Sequence, residues 1–396
     1  MTRRTLQPGI YYETEAIPHP SYRLVLLNVS EGAERRHVRE ALVALMEMLA
    51  GLGEGRLRSL EQQQAPASAE SLAQYGGLDA LIGYGRRLFD DAEHEPALTD
   101  AARPDFLSYL HEQGPFPALP WATRRRDAEA DIALQLTGLN EAAVNCAAIE
   151  IWKLIRDQQL PLSVSESFEG YGRADKRGWL GFHDGVSNMG SGERLAALLA
   201  SADPDWMRDG TYMAYLRIVV DLGVWEARSR AEQELIVGRD KLTGAALVAV
   251  ARIEEKLVPV TGPAPDEEGT LAEGAEWRDP PQTTDVVLEA SHIARANQTR
   301  ASPAAPGSFR IFRQGYDFLE ELCAEHVELG LNFVGFQRDL RVMQQVLHLP
   351  GWLGDANFGG LGDEAAIPLL TVVAGGFYAV PPNGERLPGA GLFGHI

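Results

Sequence analysis

Residues 212–221, YMAYLRIVVD, form an almost continuously apolar run that is rich in β-branched and aromatic side chains. Such a run predicts a strand, and the apolar spacing after it predicts a helix from about Val224 to Val237. The same order recurs at 331–336, LNFVGF, with a helix predicted from about Arg338 to Leu347. The second half of the chain is therefore expected to contain two strand–helix units.

Two similar units are predicted in the first half. Residues 22–28, YRLVLLN, predict a strand, and Ser30 is the candidate N-cap of the helix after it. Apolar residues alternate over 132–136, and Asn140 is the candidate cap of the next helix. The paired units of the two halves are 190 and 199 residues apart (22 to 212, 132 to 331). A β-α unit that recurs at nearly one offset predicts a duplicated domain.

The length and composition agree with this prediction. A chain of 396 residues, 45% of them hydrophobic, can form about two domains at roughly 150 residues each. Helices after each strand, in two similar sets, predict an α+β protein in which each antiparallel sheet is covered by helices on one face.

The charge balance excludes several classes of partner. The chain has 36 Lys and Arg residues against 56 Asp and Glu residues, a net charge of -20, and no basic run. We therefore expect no nucleic acid and no membrane surface among its partners. No segment has the roughly 18 apolar residues that span a membrane. Arg3 and Arg4 lack the apolar stretch that follows them in an export signal, so we expect a cytoplasmic protein, with homo-oligomer formation left open.

Most common catalytic motifs are missing from the sequence. It contains no GxxxxGK[ST] phosphate loop, no HExxH and no GxSxG. Two cysteines, Cys146 and Cys323, are too few for a cysteine-based metal site. No two of the nine histidines form an HxH or HxxxH pair. A site with a single axial histidine, as in haem proteins, needs only one.

Two segments combine residue types that could form a site. In WLGFHDGVSN, residues 179–188, glycines bracket Asp184 beside large apolar side chains. In the other, the apolar run 286–288 leads to a histidine in 291–293, and two arginines follow in 310–316, RIFRQGY. A turn at a domain junction and ordinary polar residues explain the same patterns, so the residues alone leave both interpretations open.

Taken together, these segments resemble the dye-decolorizing peroxidases, a family of haem peroxidases. GFHDG at 181–185 matches the family's GxxDG motif, and SHIARAN at 291–297 resembles the strand end that carries the proximal haem histidine. RIFRQGYDF at 310–318 resembles the stretch with the distal arginine, and LGLNFVGFQRDL at 329–340 resembles the strand and helix along the distal pocket. The matches keep the family's order over about residues 165–380.

The resemblance implies two ferredoxin-like α+β domains, an N-terminal one over 1–175 and a haem-binding one over 176–396. It implies one haem b per chain, held mainly by the second domain. The implied activity is that of a peroxidase that uses hydrogen peroxide to oxidise dyes, phenols or other one-electron donors through a ferryl intermediate. Hydrogen peroxide and an organic electron donor are therefore the expected partners.

The matching positions assign roles to individual residues. His292 is the expected axial ligand of the iron. Asp184 would take a proton from the peroxide, and Arg313 would stabilise the charge that develops as the O–O bond breaks. Leu331 and Phe333 would line the distal pocket.

Other residues are implied with alternatives. Arg295, Arg300 and Arg310 are the candidates for holding the haem propionates. Asp363, preferred over Asp355, would accept a hydrogen bond from the axial histidine.

The same resemblance has consequences for pH dependence and leaves other functions open. An Asp base is ionised down to about pH 4, which predicts an acidic optimum. The chain has Met189 and Ala294 where the family usually has proline and arginine. These departures leave open, as an alternative, a haem-binding or haem-handling protein with incidental peroxidase activity. A ferredoxin-like module that binds a non-haem ligand is a third possibility.

Overall fold

The structure is a computed structural model in which the strands dominate. It describes residues 6–11, 13, 19–56, 73, 75–89, 103–104, 107, 125–186, 188–200, 204–262, 283–296, 310–324, 326–347, 369–384 and 386–393. The strands in these ranges are β1 (Ser21–Val29), β2 (Asp79–Gly85), β3 (Ile132–Gly138), β4 (Leu162–Tyr171), β5 (Thr211–Val220), β6 (Leu247–Ile253), β7 (Lys256–Thr261), β8 (Phe312–Leu322), β9 (Val327–Gln337) and β10 (Leu370–Val380).

Helices connect the strands on the outside of the sheet. They are α1 (Arg35–Gly53), α2 (Glu141–Asp157), α3 (Ser191–Leu198), α4 (Leu222–Glu226), α5 (Arg230–Val237), α6 (Val286–Glu289), α7 (His292–Ala296) and α8 (Leu340–Leu347), with short 3₁₀ helices at Arg86–Phe89 and Ala390–Phe393. In the part of the chain that the structure describes, no helix is both long and apolar enough to cross a membrane.

Eight of the described strands close into one barrel, in the order β1-β3-β2-β10-β5-β9-β8-β4, with antiparallel pairing throughout. Each half of the chain contributes four neighbours, β4-β1-β3-β2 and β10-β5-β9-β8. Numbered within its own half, each set has the same order, fourth, first, third, second. The predicted α+β class with antiparallel sheets is confirmed, while the domain limits at 175 and 176 stay a prediction.

Because side chains alternate between the two faces of a strand, the barrel has an inner and an outer core. The inner core contains Tyr22, Tyr215, Tyr316 and Tyr378, all fully buried. The outer face of the first half packs against α1 and α2. The outer face of the second half packs against a cluster that includes Trp225 of α4. The candidate site lies on this last face.

The predicted caps are partly right. Asn140 caps α2, because its side chain accepts a hydrogen bond from the backbone N–H of Ala143. Ser30 does not cap α1. Its carbonyl closes a turn with the backbone N–H of Ala33, and the helix begins only at Arg35.

The helix predicted from Val224 to Val237 is in fact two helices. Ser229 interrupts it, since its side chain accepts a hydrogen bond from the backbone N–H of Glu232 and Glu232 bonds back to the backbone of Ser229. This reciprocal capping box starts a new helix inside one apolar pattern.

The predicted extended segment before His292 is wrong. Residues 286–289 form α6, and His292 begins α7. Asp285 caps α6 by accepting a hydrogen bond from the backbone N–H of Val287, at 2.9 Å. Val287 and Leu288 then pack with Leu235. This packing and the cap outweigh the preference of valine for strands.

A buried polar network, which the sequence patterns do not predict, lies inside the barrel. The Nη1 of Arg217 and the hydroxyl of Tyr215 both donate to Oδ1 of Asn332, at 2.9 and 2.8 Å. The Nδ2 of Asn332 donates to the carbonyl of Glu169 on β4, at 2.8 Å. Arg217 also donates to Glu320 of β8. The network therefore links four neighbouring strands of the barrel.

Replacing Asn332 by leucine should cost about 3 kcal/mol of unfolding free energy, because a buried guanidinium, a hydroxyl and a carbonyl each lose a partner. Urea denaturation followed by circular dichroism measures this loss. Gln158→Leu, which changes an exposed amide, is the control and should stay within about 0.5 kcal/mol of the parent. Equal losses in both variants would show that the network does not stabilise the barrel.

Candidate functional site

The outer face of β8 carries two charged residues with a glycine between them. Arg313, Gly315 and Asp317 lie on this face, since the alternating residues Phe312 and Tyr316 pack inside the barrel. The strand therefore separates the inner core from the candidate site.

The neighbouring strand β9 supplies an apolar surface to the same face. Gly335, Phe333 and Leu331 are the direct partners of Arg313, Gly315 and Asp317, respectively. Phe333 is buried and Leu331 half-buried. Leu331 and Phe333, the two residues predicted to line the distal pocket, therefore lie on the same face as Arg313, opposite Asp317 and Gly315.

The GFHDG segment folds as a loop over β8. Its start is a short bridge between Arg177 and His183, and the backbone N–H of Asp184 donates to the carbonyl of Lys176, at 2.8 Å. Gly185 then turns the chain at a φ of +80°, a conformation that side chains disfavour. Its backbone N–H donates to Oδ1 of Asp184, at 2.7 Å. These bonds fix the direction of the Asp184 carboxylate.

The carboxylate of Asp184 occupies the space that a side chain at position 315 would take. A Cβ atom added to Gly315 would lie 2.9 Å from Oδ2 of Asp184 and 3.2 Å from Cδ1 of Leu331. The Oδ1 of Asp184 is 3.9 Å from Nη1 of Arg313, and the two side chains are 50% and 28% exposed. A carboxylate and a guanidinium therefore face each other where solvent can still reach them.

Asn188, whose role the sequence patterns do not predict, fixes the backbone of Arg313. Its Nδ2 donates to the carbonyl of Arg313 at 2.7 Å, and its Oδ1 accepts from the backbone N–H of Arg313 at 3.1 Å. The described pairing of β8 with β4 is limited to Asp317 and Tyr171. The side-chain amide of Asn188 thus makes the two backbone hydrogen bonds to Arg313 that a neighbouring strand would otherwise make.

The adjacent histidine of the motif lies on another side of the loop. His183 packs near Gly244: a Cβ added to Gly244 would lie 3.7 Å from the Cβ of His183. Burial, and then the charges of Arg177 and Lys176, lower its pKa. A neutral His183 packed in this way leaves Asp184 as the residue of this motif that faces β8.

Gly238 sets the position of the segment that carries His292. It ends α5 at a φ of +88°. A Cβ added there would lie 2.6 Å from Oγ of Ser291 and 2.7 Å from Cγ1 of Ile293. The two neighbours of His292 therefore press against a position where only hydrogen fits.

The loop with Asp184 is tied to the segment that follows Gly238. The Nη1 of Arg177 donates to the carbonyls of Gly181 and Lys241, at 2.7 and 2.6 Å, and its Nη2 donates to the carbonyl of Leu242, at 2.7 Å. One stretch, residues 238–242, thus contacts both the Asp184 loop and the His292 segment. The sequence gave no indication of this link, because its partners are backbone carbonyls.

The remaining predicted residues are less closely grouped. Arg295 lines an open cleft with Thr283, Thr284, Val286, Glu289 and Ala290. The carbonyl of Arg310 accepts a hydrogen bond from Nε2 of Gln337, at 2.9 Å, just before β8 begins. Arg300, Asp355 and Asp363 lie outside the described residues.

The residues present fit a haem group. Within the described ranges, no three His, Cys, Asp or Glu side chains form a group that could hold a bare metal ion, whereas haem iron needs one axial imidazole. His292 can supply it. Ala296, at the end of the same helix, packs against the apolar cluster that contains Phe333 and borders Leu331. Arg295, on the same helix, would be available to bind the haem carboxylates.

Comparison with known proteins identifies the family. The sequence profile described as "Dyp-type peroxidase, C-terminal" matches residues 175–385, more than half of the chain. The chain belongs to the DyP-type peroxidase family. The resemblance drawn from the sequence is thereby confirmed, and the matched range contains the Asp184 loop, the His292 segment and β8.

The individual relatives are distant in sequence. A deferrochelatase of Shigella flexneri is 30% identical over 226 residues, which cover 53% of this chain and 48% of the relative. A dye-decolorizing peroxidase of Thermobifida fusca is 26% identical over 355 residues, 84% of this chain and 72% of the relative. The chain thus spans about half the length of the first curated relatives it matches.

Solved structures share the fold. A DyP-type peroxidase from Streptomyces coelicolor has a TM-score of 0.68 at 20% identity, covering 100% of this chain and 97% of its own. One from Cellulomonas bogoriensis has a TM-score of 0.67 at 21% identity, covering 99% of both chains. At these identities the likeness establishes the architecture.

Gly238→Ala should weaken haem retention, because the added methyl group displaces Ser291 and Ile293 and with them His292. Gly244→Ala is the matched control: its φ is also positive, at +77°, but its Cβ would make only ordinary contacts of 3.6 Å or more. Both variants should lose about 1 kcal/mol of stability from the backbone conformation. Haem transfer to apomyoglobin, followed by absorbance, should be faster for Gly238→Ala alone. Equal transfer rates would contradict the role of Gly238.

Proposed function

We propose that the protein is a haem peroxidase that reduces hydrogen peroxide and oxidises dyes, phenols or other one-electron donors. The observation that carries this proposal is the pairing of Asp184 with Arg313 across Gly315, on a face that also presents Leu331 and Phe333. One haem b per chain would supply the redox-active iron.

Asp184 is suited to move the proton of the peroxide. A carboxylate can accept the proton from one peroxide oxygen and return it to the other as that oxygen departs. This transfer needs a fixed direction, which the hydrogen bond from Gly185 and the contact with Gly315 provide. Its half-exposed position leaves access for peroxide and for water.

Arg313 is suited to stabilise negative charge. Its guanidinium stays protonated at every working pH. The distance of 3.9 Å between Nη1 of Arg313 and Oδ1 of Asp184 is too long for a hydrogen bond. The two side chains therefore do not hydrogen-bond to each other through these atoms. Because Asn188 hydrogen-bonds both the carbonyl and the N–H of Arg313, the backbone that carries the guanidinium is held in place.

His292 would be the axial ligand, and Arg295 or Arg310 would bind the haem carboxylates. Asp363, or alternatively Asp355, would accept a hydrogen bond from the second ring nitrogen of His292 and raise its basicity as a ligand. What supports the assignments of His292 and Arg295 is the position of His292 at the start of α7 and of Arg295 on the cleft beside it.

A haem-handling role is the second candidate. It is favoured by the deferrochelatase relatives, whose match of 226 residues spans about half of this chain. The two functions differ in the fate of the haem: a peroxidase keeps it through many turnovers, whereas a haem-handling protein releases or consumes it. The ratio of donor oxidised to haem lost, followed by absorbance, separates them.

Asp184→Asn and Arg313→Leu should each lower peroxidase kcat/KM by at least about 100-fold, since each removes one group from the proton transfer or from charge stabilisation. Stopped-flow mixing of the haem-loaded proteins with hydrogen peroxide measures this loss. The Soret band of both variants should persist, because neither residue is the axial ligand.

Asp205→Asn is the control, since Asp205 is an exposed carboxylate outside this site, and it should keep the parental rate. Full activity in Asp184→Asn would refute the assignment of the proton-transfer role. Loss of the Soret band in that variant would instead indicate that Asp184 helps to hold the haem.

A further inference from the structure

Asp317 is a second carboxyl group on the face of β8 that carries Arg313 and Gly315. It is 7% exposed. On a strand, side chains two residues apart on one face are separated by roughly 7 Å, and Asp184 fills the space above Gly315. Asp317 is therefore the next side chain along the strand from the place where Asp184 stands.

The surroundings of Asp317 do not favour a negative charge. Leu331 is its direct partner on β9, and Tyr171 is its partner on β4. On the loop above, a Cβ added to Gly178 would lie 3.8 Å from Oδ1 of Asp317. Among the described residues, none donates a hydrogen bond to this carboxyl group.

The charged groups facing Asp317 are Asp184, Asp175 and Arg173, together with the titratable hydroxyl of Tyr171. The one cation of this set is already engaged, because Nε and Nη2 of Arg173 donate to the two carboxylate oxygens of Asp175, at 3.0 and 2.7 Å. Arg173 therefore compensates the charge of an ionised Asp317 only in part, against two carboxylates that oppose it.

Burial first, and then the negative charge of Asp184, raise the pKa of Asp317 from 3.8 to about 7. Its carboxyl group is therefore neutral in acid and ionises near neutral pH. The ionised form places a second negative charge near Asp184, and each of two neighbouring carboxylates disfavours the ionisation of the other.

We propose that Asp317 acts through Asp184 as a charge switch: its neutral form leaves the site competent, and its ionised form suppresses peroxide turnover. This inference rests on the proposed peroxidase function. A negative charge there opposes the negative charge that develops as the O–O bond breaks, the charge that Arg313 stabilises. Asp317 is thus a positioning residue that confines activity to acid pH.

The pH profile of the full-length, haem-loaded protein tests the switch. With guaiacol as donor, activity should fall as pH rises through about 7. Asp317→Asn and Asp317→Ser carry no titrating group, so their activity should match the parent at pH 5 and exceed it about tenfold at pH 8, one unit above the pKa. Asp317→Glu should retain the decline. Glu321→Gln removes an exposed carboxylate from the same strand and should leave the parental profile unchanged.

Thermal unfolding provides a readout that does not depend on turnover. A carboxyl group whose pKa is higher in the folded than in the unfolded protein stabilises the fold at low pH, and this stability is lost as pH rises through the folded pKa. Relative to Asp317→Asn, the parent should therefore lose melting temperature between about pH 4 and about pH 7. The Glu321→Gln variant should follow the parent.

The outcomes separate the two proposals. An active parent whose decline above pH 7 is unmoved in both Asp317→Asn and Asp317→Ser would overturn the switch while leaving the peroxidase. A melting difference that is constant from pH 4 to pH 7 would overturn it as well. A parent that is inactive at pH 5 with haem bound would instead overturn the proposed function, and the switch with it.

Discussion

The alternation of side chains along β8 is the constraint on which the site depends. Since the barrel is closed, one face of this strand must fill the inner core and the other is left for the helices, the loops and any ligand. Phe312 and Tyr316 meet the first demand. Arg313 and Asp317 can then be polar without disturbing the core. A shift of one residue in register would exchange the two sets.

The site also depends on two places where a side chain is missing. Gly315 makes room for the Asp184 carboxylate, and Gly238 makes room for the neighbours of His292. Both are close contacts between segments far apart in sequence. Arg177 adds a third long-range link by bonding the Asp184 loop to the stretch after Gly238. The Asp184 loop and the His292 segment are thus positioned against the same stretch of chain, residues 238–242.

Local sequence patterns predicted the strand–helix units well, because long apolar runs such as 212–221 have few alternative structures. They missed β2 and β10, in which glycines interrupt the apolar pattern, and they also missed β4, β6, β7 and β8. They placed the segment before His292 in an extended form. In that segment the cap by Asp285 and the packing of Val287 and Leu288 with Leu235 decide for helix. Period alone does not contain this information.

The candidate site was predictable only in part. Asp184, Arg313, Leu331 and Phe333 followed from the family resemblance, and the structure places these four around Gly315. The sequence did not indicate that Asp317 is buried beside the site, since an aspartate among polar residues is usually exposed. Its burial depends on a loop that is more than 130 residues away along the chain and folds over it. Such long-range contacts are what a single sequence does not show.

The most direct test of the central claim is the visible spectrum of the haem-reconstituted protein beside those of His292→Ala and His183→Ala, before and after one equivalent of hydrogen peroxide. We predict a Soret band that changes on adding peroxide in the parent and in His183→Ala, and a lost or shifted band in His292→Ala alone. A parental spectrum in His292→Ala, or no Soret band in the parent, would contradict it.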